Sequence, residues 1–156
     1  HFQHFAAAEL PEWEQNGVRV RMIAGAAFGL ESPVKTFSPI FYADVRFEPG
    51  GAFHYTGEHE ERALYVLSGE LQLDGELIEP HALVVLPAGE EMTLFAESDC
   101  HAVLLGGAPL DGPRKINWNF VASDPAAIDE ARRRWAAGDW PTVPGEVERI
   151  ELPPAR

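Results

Sequence analysis

The fold is decided by the stretch Glu60-Glu61-Arg62-Ala63-Leu64-Tyr65-Val66-Leu67-Ser68-Gly69-Glu70-Leu71-Gln72-Leu73-Asp74-Gly75. Apolar residues fill its first half and return in the Leu-Gln-Leu of its second half, which predicts two buried strands. Ser68-Gly69-Glu70 predicts a corner between these strands, and Asp74-Gly75 predicts a hairpin turn after them. The centre of the molecule is therefore expected to be β-structure.

Short strand patterns recur on both sides of this centre, roughly every ten residues, and Gly or Pro turns separate them. The other segments predicted as strands are 18–23, 41–47, 52–55, 82–86, 92–95 and 101–107, with a further extended segment over 116–121. The run 82–86 is apolar throughout, which is typical of a strand buried on both faces. This spacing indicates an all-β sandwich or barrel rather than alternating strands and helices.

The C-terminal part of the sequence predicts one helix and an arm. Ser123 or Asp124 is suited to cap a helix that has Pro125 in its first turn, and Gly138 is suited to end it. The prolines of residues 139–156 predict an extended segment rather than a core element. The predicted division of the chain is a connecting segment over 1–16, a β-domain over 17–122, a C-terminal helix over 123–138 and an extended arm over 139–156.

Composition limits the classes of partner and of cellular setting. The chain has 156 residues and a net charge of −13, which fits one domain and argues against binding to nucleic acid or to an anionic membrane. Cys100 is the single cysteine, and no apolar run reaches the length of a membrane span. We therefore expect a reducing, cytoplasmic setting. The start at His1 has no secretion signal and is interpreted as an internal cut in a longer polypeptide.

Two motifs resemble those of the cupin jelly roll. Glu61 and Gly69 are separated by seven residues, and Pro87-Ala88-Gly89 follows about twenty residues later. In metal-binding cupins this resemblance implies an H-x-H pair and a Glu in the first motif and a further His in the second. Such ligands together hold iron, manganese or zinc while leaving coordination positions open.

The ligand positions of the resembled motifs are changed in this sequence. If Glu61 is aligned with the cupin acid, the His pair falls on Tyr55 and Gly57, and the last His falls on Met92 or, in a second register, Leu94. These residues are poor ligands for such metals, so no metal site is expected in this chain.

The remaining histidines leave one alternative open. A one-residue bulge could bring His54 or His59 beside Glu61, although scattered histidines are more often solvated side chains. Cys100 and His101 are neighbours in a predicted strand, so their side chains are expected to point to opposite faces rather than to form a reactive pair.

The wider pattern resembles the C-terminal half of the pirin family. The segments that carry this resemblance are Pro33-Val34-Lys35-Thr36-Phe37-Ser38-Pro39, Tyr65-Val66-Leu67-Ser68-Gly69-Glu70, Leu105-Gly106-Gly107-Ala108-Pro109-Leu110, Trp118-Asn119-Phe120-Val121 and Gly138-Asp139-Trp140. Pirins are two-cupin proteins similar to bacterial quercetin 2,3-dioxygenases. The resemblance implies an iron or another divalent metal in an N-terminal cupin, a C-terminal cupin without the ligands, and a C-terminal end that helps to join the two.

Three functional hypotheses follow. The first is a metal-free cupin half, without a cofactor of its own, that supports a partner. That partner would be the N-terminal cupin of the same polypeptide or a second copy of this chain. The second is a stand-alone cupin that acts as a small-molecule binding module, and the third is a cupin enzyme with an unrecognised metal site.

The binding-module hypothesis needs a pocket within the fold. The candidate cavity-lining residues are Tyr55, Glu61, Tyr65, Met92 and Leu94. The apolar members fit core packing better than a ligand pocket. Glu61 is either a carboxylate with a perturbed pKa beside apolar strands or an exposed loop carboxylate.

Overall fold

Strands dominate the chain in the computed structural model, which describes residues 3–153. The strands are β1 (Glu12–Gln15), β2 (Val18–Ala27), β3 (Leu30–Glu31), β4 (Ile40–Phe47), β5 (Gly51–Tyr55), β6 (Glu61–Ser68), β7 (Leu71–Leu73), β8 (Glu76–Ile78), β9 (Leu83–Leu86), β10 (Met92–Ala96), β11 (Cys100–Gly107), β12 (Lys115–Asn117) and β13 (Phe120–Ala122). A short 3₁₀ turn covers Ala7–Glu9, and the helix α1 covers Pro125–Ala137. The prediction of an all-β fold with one C-terminal helix is confirmed.

The residues form two compact units, 4–109 and 110–153, and Gln3 groups with the second. The first unit contains two antiparallel sheets. One sheet has the strand order β1-β2-β4-β11-β6-β9, with β3 paired to β2, and the other has the order β5-β10-β7-β8. The division predicted at residues 16, 122 and 138 stays a prediction.

The core of the first unit lies between its two sheets. Inward side chains alternate with outward ones, so each strand contributes every second residue to one continuous apolar cluster. On β6, for example, Leu64 and Val66 are fully buried while Glu61 is exposed. Each fully buried large side chain contributes about 1.5–3 kcal/mol to the free energy of folding.

The N-terminal segment contains a strand that the prediction of a connecting segment over 1–16 missed. β1 pairs with β2, and ion pairs across the two strands join Glu14 to Arg19 at 3.2 Å and Glu12 to Arg21 at 2.6 Å. The strand is short and mostly polar, so its sequence carries little periodic signal. Residues 1–2, which begin this predicted segment, lie outside the described residues.

Two other predicted strands differ from the observed ones. β9 was expected to be buried on both faces, but its outward residues Leu83 and Val85 are 59% and 78% exposed within the described part of the chain. The segment 116–121 is a hairpin rather than one strand, because Trp118 has a φ of 53° and reverses the chain between β12 and β13.

The second unit consists of the β12–β13 hairpin, α1 and the arm. The side chain of Asp124 accepts a hydrogen bond from the Ala126 N–H at 2.9 Å, and Gly138 ends α1 with a φ of 75°. The predicted helix ends are therefore confirmed, with Asp124 as the cap. The arm folds back on α1, since the Trp135 indole N–H donates to the Ile150 carbonyl at 2.9 Å. Residues 154–156 of the predicted arm lie outside the described residues.

The corner after β6 generates the first testable prediction. Gly69 has a φ of 77°, and a Cβ atom there would contact the Asp99 carbonyl oxygen and lie 2.8 Å from the Cys100 Cα. Gly69→Val combines a strained backbone with a steric clash, so it should lower the free energy of unfolding by more than about 1 kcal/mol in a urea titration.

The matched control for this prediction is Gly75→Val. Gly75 has a φ of 87°, but no atom of residues 3–153 lies within 4 Å of a Cβ built there, so only the backbone strain is introduced. Gly69→Val should therefore destabilise the protein more than Gly75→Val does. An unfolding midpoint unchanged by Gly69→Val would contradict the assignment of this corner.

Candidate functional site

Three loops meet at one end of the sandwich. The turn 28–29 approaches the loop 56–60, because the Phe28 N–H donates to Glu58 Oε2 at 3.0 Å and His59 Nε2 lies 2.8 Å from the Ala26 carbonyl oxygen. The loop 56–60 also approaches the turn after β9, since a Cβ atom on Gly57 would lie 3.0 Å from Gly89 backbone atoms. These contacts close this end of the sandwich.

Aromatic rings fill the space beneath the loops. The Phe28 ring makes edge-to-face contacts with Phe41, Phe53 and Tyr55, with ring centroids 5.5, 5.2 and 5.4 Å apart. Such contacts add about 0.5–1.5 kcal/mol per pair beyond the area that they bury. The four rings form a cluster at the closed end, which we call the aromatic end cluster.

Arg62 brings a positive charge into this end of the sandwich. Its side chain is only 2% exposed, and its guanidinium carbon lies 5.1 Å from the centroid of the Tyr55 ring. The guanidinium donates to the carbonyl oxygens of Thr56 at 3.4 Å and of Pro87. Among residues 3–153 no carboxylate forms an ion pair with it.

Two polar atoms at this end lack hydrogen-bond partners within the described chain. They are the Tyr55 hydroxyl and the Arg62 Nε, and both are buried. Burial raises the pKa of Tyr55 far above its usual value, and the Arg62 charge opposes this change only in part. The phenol is therefore protonated at neutral pH and remains a hydrogen-bond donor.

The structure separates the predicted cavity-lining residues into two groups. Tyr55, Met92 and Leu94 point into the sandwich and are buried, and Met92 pairs across the strands with Tyr55. Glu61 and Tyr65 lie on the opposite face of β6, so they do not join the others. Whether the inward residues line a ligand cavity stays a prediction.

Sequence reasoning missed Arg62, although a signal for it was present. The two-residue period of Leu64 and Val66 places Arg62, and not Glu61, on the inner face of β6. For Glu61 the sequence left two alternatives, a perturbed carboxylate beside apolar strands or an exposed carboxylate, and the structure shows the exposed one. The periodicity is correct here because one face of β6 is buried.

The histidines do not gather around Glu61. His54 is exposed and lies 3.3 Å from Glu91, while the His59 ring packs against Phe41 with centroids 4.8 Å apart. Within the described part of the chain, no group of three or more His, Cys, Asp or Glu side chains is placed to hold a metal ion. The side chains that point inwards at this end carry a neutral phenol, a thioether and a guanidinium. These groups are not suitable ligands for iron, manganese or zinc.

The opposite end of the sandwich carries Cys100 and His101. Cys100 points into the core, where burial raises the pKa of its thiol to about 11. His101 points outwards and bonds to Asp44. The prediction that the two side chains point to opposite faces is confirmed.

Comparison with known proteins gives one family. The profile described as "Pirin C-terminal cupin domain" matches residues 42–141. A pirin-like protein of Caulobacter vibrioides is 43% identical over 136 residues, which cover 86% of this chain and 46% of that protein. Pirin-1 of Arabidopsis thaliana is 30% identical over 138 residues, which cover 83% of this chain and 48% of that protein.

A crystal structure of quercetin 2,3-dioxygenase from Acinetobacter baumannii has a similar fold. It superposes with a TM-score of 0.78 and 27% identity, over 88% of this chain and 49% of that chain. This chain thus spans about half the length of each of these three proteins. The cupin fold and the resemblance seen in the sequence are confirmed, and the chain belongs to the pirin family through its C-terminal cupin domain.

Proposed function

We propose that this chain is the metal-free C-terminal cupin of a two-cupin pirin-like protein and that it supports an N-terminal cupin. Iron or another divalent metal, together with any quercetin dioxygenase-type chemistry, would belong to that N-terminal cupin. A reducing, cytoplasmic setting is part of the proposal, since the single cysteine, Cys100, has no cysteine partner in the chain.

The observation that carries the metal-free part of the proposal is the buried guanidinium of Arg62. A divalent cation at the same end would be repelled by this charge, and the repulsion is strong where water is excluded. The inward neighbours Tyr55, Met92 and Leu94 offer no anionic or imidazole ligand to offset it.

The outer face of the larger sheet supports the proposed supporting role. Cross-strand pairing aligns Tyr42 with Leu105, Leu105 with Ala63, and Ala63 with Val85. These four residues form an apolar stripe across β4, β11, β6 and β9. Tyr42 and Val85 are exposed, and Leu83 continues the exposed apolar surface on β9. An exposed apolar patch of this kind marks an interaction surface.

The occupant that we assign to this stripe is the N-terminal cupin of the same polypeptide. The relatives are about twice as long as this chain, so a second domain of similar size is available. β9 is also an edge strand, with no neighbour beyond it among the described strands. An apolar edge strand invites association unless a partner covers it.

The metal-free proposal predicts that the untagged protein contains no stoichiometric transition metal. Elemental analysis by mass spectrometry should give far less than one equivalent of iron, nickel, manganese or zinc per chain. The variants His54→Ala and His59→Ala should give the same low values. About one equivalent of metal in the wild type, lost in either variant, would contradict the proposal.

If the apolar stripe is a docking surface, binding of the partner should weaken when charged residues replace those at its exposed edge. The probe is the N-terminal half of the Caulobacter vibrioides pirin-like protein, added in trans and followed by calorimetry. The double variant Leu83→Lys, Val85→Lys should weaken binding at least about tenfold, because a lysine charge loses its water of hydration in an apolar interface.

The matched control is Leu77→Lys, since Leu77 is 54% exposed but lies on β8 of the other sheet. An equal loss of binding in the control would contradict the assignment of the stripe. Dimers of the wild type that dissociate in the double variant would instead identify a second copy of this chain as the occupant.

The arm gives a further test of the joining role. Val147 and Ile150 are 96% and 69% exposed although the arm packs on α1, so the arm carries apolar surface for a partner. Truncation after Gly138 should lower the affinity for the same N-terminal half and remove any self-association seen by light scattering. A monomeric wild type with a protease-sensitive arm, and no change on truncation, would show that the arm has no docking role.

A further inference from the structure

We propose that the closed end of the sandwich is a binding site for a small aromatic carboxylate. Its ring takes the place of the Phe28 ring, and its carboxylate binds the Tyr55 hydroxyl and the Arg62 guanidinium. This site goes beyond the supporting role of the domain and does not depend on it, because it lies inside the sandwich rather than on its outer face.

The polar half of the site consists of two donors without acceptors. The Tyr55 hydroxyl and the Arg62 Nε–H have no partner in the described chain, and both residues are at least 98% buried. The guanidinium carries a positive charge, and no carboxylate of residues 3–153 pairs with it. A buried, unpaired charge is costly, so this end of the sandwich favours an anion.

The chemistry of the two donors selects a carboxylate. Two oxygen atoms of one carboxylate can accept from two separate donors, and bonds between a guanidinium and a carboxylate are among the strongest hydrogen bonds in proteins. A phenol that stays protonated can donate to one oxygen while the guanidinium donates to the other.

The apolar half of the site is the space that the Phe28 ring now fills. Phe41, Phe53 and Tyr55 each present a ring to Phe28 at centroid distances of 5.2–5.5 Å with steep interplanar angles. An aromatic ring in the same place would regain these edge-to-face contacts, whereas an alkyl group would not. An aromatic acid therefore satisfies both halves of the site.

Phe28 sits in a turn that can release its ring. Phe28 and Gly29 are the two central residues between the paired Ala27 and Leu30, and both have positive φ, at 57° and 75°. This two-residue turn favours Asn-Gly, and a bulky side chain at positive φ is strained. The strain makes this turn less stable than a turn of preferred sequence, so the turn can open at a lower cost when a ligand replaces the ring.

The turn is held from outside by two hydrogen bonds. The Phe28 N–H donates to Glu58, and the Phe28 carbonyl accepts from the Trp13 indole at 3.2 Å. Gly29 is exposed, so the turn can move outwards into solvent. Displacement of Phe28 would change the environment of the Trp13 indole, which gives a direct spectroscopic signal.

The test uses the full chain labelled with ¹⁵N and the probe benzoate. Titration should shift the Trp13 indole resonance, assigned with Trp13→Phe, in a saturable manner. Acetate, which lacks the ring, and benzyl alcohol, which lacks the charge, should each bind at least about tenfold more weakly, since each loses one half of the contacts.

Variants separate this site from nonspecific binding. Arg62→Met should weaken benzoate binding at least about tenfold and Tyr55→Phe about two- to tenfold, whereas the control Arg19→Met, on the outer face of β2, should bind as the wild type does. Phe28→Asn removes the ring that competes with the ligand, and Asn is a preferred residue at this position of the turn. This variant should therefore bind benzoate more tightly than the wild type.

Three outcomes would overturn the proposal. They are an absence of saturable benzoate binding in both the wild type and Phe28→Asn, equal affinity for benzoate and benzyl alcohol, and equal affinity of Tyr55→Phe and Arg19→Met for benzoate. If Arg62→Met does not fold, Tyr55→Phe still decides the question, because it removes a single oxygen atom.

Discussion

The closed end of the sandwich depends on the burial of the Arg62 guanidinium. Removing an ion from water costs several kcal/mol, and the protein offsets part of this cost with the carbonyl groups of Thr56 and Pro87 and with the face of the Tyr55 ring. The two carbonyl groups belong to loops that follow β5 and β9, in different sheets. The charge can be accommodated only when both loops lie over the same end.

The position of the loop 56–60 then determines the position of the Phe28 turn. Glu58 and His59 of this loop bind the Phe28 N–H and the Ala26 carbonyl, so the turn is held over the aromatic end cluster. Few hydrogen bonds hold the turn, and part of it is exposed, whereas the strands beneath it are buried on their inner faces. Local opening of the native state therefore has its lowest cost at this turn rather than in the strands.

Strand periodicity predicted most of the fold, and residue type predicted the site less well. Alternation placed most strands correctly, and it would also have placed Arg62 inside the sandwich. The acid of a resembled motif instead made Glu61 a candidate residue, and Glu61 lies one position away on the outer face of β6. A shift of one residue reverses every side chain of a strand, so a motif without its periodicity cannot identify inward residues.

Contacts between distant loops could not be predicted from the sequence at all. Glu58 and Phe28 are thirty residues apart, and their hydrogen bond depends on a turn whose sequence, Phe-Gly, is not a preferred one. The strand β1 was missed for a different reason. Its stabilisation comes from ion pairs with β2 and from the packing of Trp13 on Phe53, which are tertiary properties.

The outer face of β9 is apolar and exposed. Apolar residues occupy both faces of β9, yet residues 3–153 cover only the inner one. An uncovered apolar face raises the risk of aggregation and does not stabilise the isolated domain. A sheet whose strands are already paired can dock as a rigid surface, so little conformational entropy is lost on association. The apolar stripe and the buried Arg62 guanidinium are independent of each other, because Ala63 of the stripe and Arg62 lie on opposite faces of β6.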